Sequence, residues 1–239
     1  MPTPTTAFNP KLIMRRLFCF AGALLAASIH AAQATPGATL PFGGVAPGCS
    51  ETETITLHAT NNLAGFQCDI LFDAARLVCT NVPTLVSGPS GVIVDGAQLQ
   101  SGLYRLLAYS PTGVALTNDV TCNLTFSAPT NADNGQAPLT GGNTIFGNAN
   151  AVAISPTGTV TDGLILVGDA FGFMPGGGRA QFIGTSDSNY IIQASTNLNS
   201  WTGISTNAAT NGLAWTMDTN ALVHTHRFYR SATTQLTSV

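Results

Sequence analysis

The sequence predicts an all-β protein, a β-sandwich followed by a second, smaller β domain. Three observations predict it. Short runs in which apolar and polar residues alternate follow one another along most of the chain, separated by Gly, Pro, Asn and Asp. Beyond the first 34 residues no segment sustains the apolar repeat of a helix. Near Gly168 the texture changes to GDAFGFMPGGGRA, with Pro175 and three consecutive glycines, and strand-like runs resume after it.

In chain order, Lys11, Arg15 and Arg16 precede the apolar run LFCFAGALLAASI, and Ala32-Gln33-Ala34 offers small residues where a signal peptidase reads. Residues 1–34 are therefore read as an export signal cleaved after Ala34. The apolar run is shorter than the ~20 residues a spanning helix needs. No later segment is apolar enough to span, so no membrane span is expected after cleavage. The sandwich is assigned to residues 35–168. Its expected strands are TETITLHA (52–59), AGFQCDILF (64–72), ARLVCTNV (75–82), GVIVDG (91–96), GLYRLLAYS (102–110), VTCNLTFSA (120–128), AVAISP (151–156) and GLILVG (163–168). In GFQCDILFD, Phe66, Cys68, Ile70 and Phe72 fall on one face and read as core. Residues 129–150 read as a Gly/Asn-rich connection with room for one short strand. Residues 169–178 read as a Gly-rich linker. The smaller domain, 179–239, carries the runs AQFIGT, NYIIQAST, LAWTMD and HRFYRS.

Composition excludes several function classes. After Ala34 there are five arginines and no lysine against eleven acidic residues, a net charge of −6. The basic footprint of a nucleic-acid binder is absent. Charged residues make up 8% of the chain, far below the ~25% usual in soluble domains. Thr, Asn, Ser and Gly take their place, a surface suited to an extracellular β protein and poor in groups for acid–base chemistry. Acidic residues stand singly, mostly in turns such as Asp73, Asp119 and Asp162, with no carboxylate pair of the kind a glycosidase needs. His224 and His226 are two apart, an incomplete metal site, and His58 is isolated. There is no G-x-S-x-G, and Gly176-Gly177-Gly178 lacks the Lys of a phosphate loop. Neither a catalytic site, a metal nor a cofactor is expected.

Four cysteines remain after the signal, Cys49, Cys68, Cys79 and Cys122. An even number in an exported chain reads as two disulfides with three connectivities open, or alternatively as small buried apolar residues. Trp215 alternates with Leu213 and Met217 and reads as core, and Trp201 follows a turn and reads as structural. Tyr109 is the better surface aromatic.

LAGFQCDILFD at 63–73, YSPTG at 109–113 and TCNLTF at 121–126 together resemble a cohesin-type β-sandwich, over roughly Pro41 to Val167. The resemblance implies a cohesin-like jelly-roll and a binding module, not an enzyme. It implies that the strand of Cys79 lies beside that of Cys122, favouring a Cys79–Cys122 bridge and leaving Cys49 with Cys68. It also places GLYRLLAYS beside GFQCDILFD. With Arg105 pointing to water, Leu107 and Tyr109 then share an outward face with Gln67, Asp69 and Leu71. That face would serve a partner, or would be an ordinary sheet surface crossed by an Asp69–Arg105 pair. Dockerin-binding cohesins commonly carry Asn and Asp at outward positions where this chain has Gly65 and Gln67, a departure that counts against a dockerin partner. The end of the chain resembles a small module of exported bacterial proteins marked by YxIQASTNLxxW and RFYR, here Tyr190, Gln193 to Leu198, Trp201, and Arg227 to Arg230.

The expected function is therefore recognition of an extracellular protein or polysaccharide by a secreted, cell-surface or periplasmic chain. A self-associating matrix protein is the alternative, and a hydrolase ranks last.

Overall fold

The computed structural model describes residues 18–21, 36–60, 63–150, 152–153 and 158–233. Its strands, in order, are β1 (Phe18–Ala21), β2 (Gly37–Thr39), β3 (Phe42–Val45), β4 (Ser50–His58), β5 (Gly65–Leu71), β6 (Thr84–Ser87), β7 (Ile93–Gln100), β8 (Leu103–Tyr109) and β9 (Val120–Ser127). They continue as β10 (Gly135–Gly147), β11 (Thr159–Thr161), β12 (Gly163–Val167), β13 (Ala170–Met174), β14 (Gly177–Ile183), β15 (Asn189–Ser195), β16 (Thr202–Ala208), β17 (Leu213–Asp218) and β18 (His226–Thr233). One 3₁₀ turn, Ala221–Val223, precedes β18. Among the described residues no helix is long and apolar enough to cross a membrane. The export signal and its cleavage point lie outside the described residues except for β1, which pairs antiparallel with β18.

Two sheets form a β-sandwich. One runs β3-β12-β10-β5-β8-β7 and the other β11-β2-β4-β9-β6. Alternation drives both. On β9, Val120, Cys122, Leu124 and Phe126 are fully buried while Thr121, Asn123 and Thr125 face outward. Phe66, Cys68 and Ile70 of β5 and Tyr104, Leu106 and Ala108 of β8 meet them from the other sheet, with Phe72 edge-on to Phe126 at 6.1 Å. The outer face of β4 and β9 is a ladder of small polar pairs: Ser50 with Ser127 at 2.7 Å, Thr52 with Thr125 at 2.9 Å, and Thr54 donating to Asn123 at 2.8 Å. Such cross-strand hydroxyl and amide pairs replace the charges this surface lacks.

The C-terminal residues form a three-stranded sheet, β13-β14-β17, and a four-stranded sheet, β1-β18-β15-β16. Between them lie Phe171, Phe182, Ile192 and Tyr229, with the Phe171 and Tyr229 rings stacked at 4.9 Å. The module pattern has a clear local logic. Ser195 Oγ accepts the backbone N–H groups of Asn197 and Leu198, and Asn197 Oδ1 accepts those of Asn199 and Ser200. Leu198 sits at φ 63°, and Trp201 Nε1 closes the loop onto the Leu198 carbonyl at 3.0 Å. Arg230 donates to Gln193 at 2.7 Å and covers the Trp201 ring at 4.3 Å. Arg227 and Tyr229 both donate to Asp218 Oδ2, at 2.8 and 3.1 Å.

The two sheet pairs are packed together. Leu164, Leu166, Ala170 and Met174 form a shared apolar cluster with Phe42 and Met217. Gln181, fully buried, donates to the carbonyls of Leu166 and Gly168 at 3.0 and 2.9 Å. Beside this seam the Glu53 carboxylate lies directly over Gly43, where a Cβ would fall 1.5 Å from its Oε1. Burial pushes the Glu53 carboxyl up to about 7, Glu51 adds to the shift, and Arg179 opposes it.

Several expectations are corrected. Residues 169–178 are not a linker: β13 and β14 form a hairpin turning at Pro175-Gly176, where Gly176 takes φ 96°. The glycines read as a break are its turn and its close-packed start. Residues 129–150 hold the 13-residue β10 at the centre of the larger sheet. Its alternation is hidden by a bulge between Gly142 and Ile145. ARLVC is not a strand. Leu77 and Cys79 are buried, but the chain there is crossing from the sheet of β5 to that of β6, with one bridge, Val78 to Ser127. β16 carried no apolar signal, because TGISTNA is polar on both faces. Of AVAISP only residues 152 and 153 are described, with Ala153 bridged to Gly147.

The two expected disulfides are absent. Cys49, Cys68, Cys79 and Cys122 are free thiols, the last three buried among the core side chains as small apolar residues. Burial pushes the Cys68 and Cys122 thiols up to about 11 and Cys79 to about 12. Native-state thiol titration at pH 8 is expected to modify Cys49 alone among these four, and all four after denaturation without reductant. Two thiols or fewer after denaturation would show bridges instead.

Candidate functional site

The outward face of β5, β8 and β7 brings together the residues singled out from the sequence. β8 pairs antiparallel with β5 on one side and β7 on the other, so residues align in rows across the sheet. Gly65, Tyr109 and Ile93 form one row, Gln67, Leu107 and Asp95 the next, Asp69, Arg105 and Ala97 a third, and Leu71 lies opposite Leu103. Ile145 of β10 extends the second row beside Gln67. Leu71, Tyr109, Ile93 and Ile145 are all about 40–45% exposed, at 44%, 39%, 41% and 45%. Gln67 and Leu107 are half-buried between them.

Asp69 and Arg105 form the polar centre of this face. Arg105 grips the carboxylate with two nitrogens, Nε to Oδ1 at 2.6 Å and Nη2 to Oδ2 at 2.8 Å, and Asn143 Nδ2 adds a third bond at 3.0 Å. The Arg105 hydrogen bonds hold the Asp69 carboxyl below its ordinary range against the opposing effect of burial. Asp69 is 6% exposed, so it reaches the outward side yet lies beneath Arg105 and Asn143. What a partner would meet is the Arg105 guanidinium, fixed in one orientation, within an apolar rim. Fixing it in advance reduces the ordering cost of binding.

Ile93 and Ile145 were not anticipated. Asp95, two residues after Ile93, carries the signal that would have phased β7, since residues two apart share a face. Ile145 follows the bulge in β10, which erases its phase.

Elsewhere, the residues left as isolated in the sequence make a chain of hydrogen bonds. Thr39 Oγ1 lies 2.8 Å from His58 Nε2, and His58 Nδ1 lies 3.0 Å from Asp119 Oδ2. Hydroxyl, imidazole and carboxylate stand in the order of a nucleophile, base and orienting acid. Thr39, however, lies within β2, between β11 and β4, and Asp119 also accepts the Ala59 N–H. The chain ties three segments together. His226 opens β18 and His224 precedes it, and among the described residues no group of three or more His, Cys, Asp or Glu could hold a metal ion. Trp201 is structural, as its hydrogen bond shows. Trp215 is not core: it is 44% exposed, while on the same face of β17 Leu213 is buried and Met217 packs against the seam.

No protein-family model matches the sequence, and no curated protein matches it. Among solved structures, it is similar to the sixth cohesin of scaffoldin B from Acetivibrio cellulolyticus, determined in complex with a Cel5 dockerin, at 20% identity over 56% of this chain and 99% of that one, TM-score 0.46. The similarity is to cohesin modules. The cohesin of the Clostridium perfringens family 33 glycoside hydrolase is 11% identical over 56% of this chain and 98% of its own, TM-score 0.46. A non-cellulosomal cohesin from the archaeon Archaeoglobus fulgidus is 10% identical over 56% and 91%, TM-score 0.45. The likeness to these cohesins is one of fold alone.

Proposed function

We propose that this chain is an exported, non-catalytic binding protein that recognises a protein partner at the cell exterior through the outward face of β5, β8 and β7. One observation carries the reading: four large apolar side chains stand exposed around a pre-oriented guanidinium on a single sheet face. An apolar patch with a polar, hydrogen-bonded centre has the composition of a protein interface. The rows of alternating strands keep it flat and rigid, and no catalytic constellation competes for the face.

Affinity capture with residues 35–239 against solubilised surface and secreted protein tests it. A specific partner retained by wild type and lost by Leu107→Asp with Tyr109→Ala is expected. A partner indifferent to both changes would remove this face from consideration.

A second reading, self-association, is favoured by β6. It is the edge of the smaller sandwich sheet, all four of its residues are exposed, and Leu85 and Val86 are among them. An unpaired apolar edge is a template for another strand. Concentration-dependent sedimentation abolished by Val86→Lys would establish it.

A further inference from the structure

The seam between the sandwich and the C-terminal sheets holds a second site, remote in the sequence from the face described above. Arg179 of β14 and Trp215 of β17 reach one cleft of about 80 Å³, whose other wall is Gly44 of β3 and Glu51 of β4, closed by the Thr210–Asn211 turn. Trp215 also borders a neighbouring depression of about 450 Å³ with Ser205, Asn207 and Met217, a size within the usual range for small-ligand sites.

Five features of this cleft bear on a ligand. The Trp215 ring is exposed yet held, with the Arg179 guanidinium stacked over it at 4.3 Å. Asn207 Nδ2 donates to the Trp215 carbonyl at 2.6 Å and fixes the strand beneath it. Arg179 Nε is buried and meets no hydrogen-bond partner, and neither does Gln181 Oε1. A buried donor left unpaired is costly unless something satisfies it. Both groups lie against Gly44, where a Cβ would fall 2.0 Å from Gln181 Oε1 and 2.7 Å from Arg179 Nη2, so a side chain there would displace them. Finally, Asn211 Nδ2 donates to Glu51 Oε2 at 3.2 Å, which leaves a carboxylate oxygen and an amide oxygen to accept from a ligand.

We infer that this cleft, together with the depression beside it, binds a neutral oligosaccharide, with one sugar ring stacked on the face of Trp215 that Arg179 leaves open and other hydroxyls of the oligosaccharide shared among Arg179, Glu51 and Asn211. A sugar presents a C–H face to an aromatic ring and a rim of hydroxyls that each need both a donor and an acceptor. The cleft supplies one flat ring, one planar cation and a carboxylate–amide pair. Anionic ligands are disfavoured, because Glu51 and Glu53 flank the single arginine. The inference is independent of the protein-binding face, and either can fail without the other.

The experiment is a tryptophan-fluorescence titration of the Trp201→Phe chain, in which Trp215 is the remaining indole, with neutral oligosaccharides of glucose, xylose, mannose and N-acetylglucosamine. Calorimetry on wild type, Trp215→Ala and Trp215→Phe accompanies it. A saturable change in Trp215 emission with one class is expected. Trp215→Ala should then weaken binding roughly thirtyfold, as truncation of an aromatic hot spot does, Trp215→Phe should weaken it less, and Leu107→Asp with Tyr109→Ala should leave it unchanged. No saturable change and no heat with any class, or unaltered binding by a folded Trp215→Ala chain, would overturn the inference.

Discussion

Asp218→Ala is expected to destabilise the C-terminal sheets by about 3–5 kcal/mol, the usual cost of removing one partner from a buried ion pair. Asp218 is 5% exposed at the end of β17. Its Oδ2 accepts from Arg227 Nε and from the Tyr229 hydroxyl, and its Oδ1 accepts the Asn220 N–H. Removing the carboxylate leaves a largely buried guanidinium, a buried phenol and a turn N–H without their acceptor, on two segments at once. Denaturant unfolding followed by tryptophan fluorescence measures it, since Trp215 lies in β17 and Trp201 in the loop that leads into β16. Asp218→Ala with Arg227→Leu should recover part of the loss, because the second change removes the stranded charge. A loss below about 1 kcal/mol in the single variant, the scale of an exposed pair, would show that the cluster does not hold β17 to β18.

Glu53→Gln is expected to flatten the pH dependence of stability. Burial raises the folded carboxyl from its ordinary 4.5 to about 7, so the folded state holds a proton that the unfolded state has released across that window. The stability this gives is complete below about 4.5 and is lost as pH rises through about 7. At 1.36 kcal/mol per unit the loss reaches at most about 3 kcal/mol. Wild type and Glu53→Gln should therefore match near pH 4.5, and the variant should be the more stable at pH 8. Because Asp69 is shifted in the opposite direction, the difference between the two chains, and not either curve alone, is the quantity to measure. Parallel curves from pH 4.5 to 8 would mean that Glu53 titrates normally.

What was legible in the sequence was what alternation writes. β4, β5, β8 and β9 each carry a two-residue apolar period, from which the inward residues of β5 were named, whereas β12 is marked by an unbroken apolar run. The pairing of β5 with β8 came from a resemblance, and once it was granted, Arg105 phased the outward face. β10 was illegible because its centre is Gly, Asn and Thr and its phase slips at a bulge. The hairpin of β13 and β14 was illegible because glycines that permit close packing read like glycines that permit freedom. The seam is illegible for another reason. Glu53, Arg179 and Trp215 lie on strands 36 to 162 residues apart in the chain, and nothing local marks them as neighbours. The buried cysteines looked like a disulfide set because compartment, not packing, guided the reading.

The parallel pairing of β3 with β12 has a mechanical consequence. Phe42 to Val45 run alongside Leu164 to Val167 in the same direction, one strand near the start of the sandwich and the other at its end. Tension applied through the two ends of the sandwich therefore pulls these strands past each other lengthwise, loading their hydrogen bonds together instead of one after another. β2 and β11, also parallel, share the load in the opposite sheet. Strands paired in this way separate lengthwise only when several hydrogen bonds break together, whereas strands pulled apart from one end release them singly.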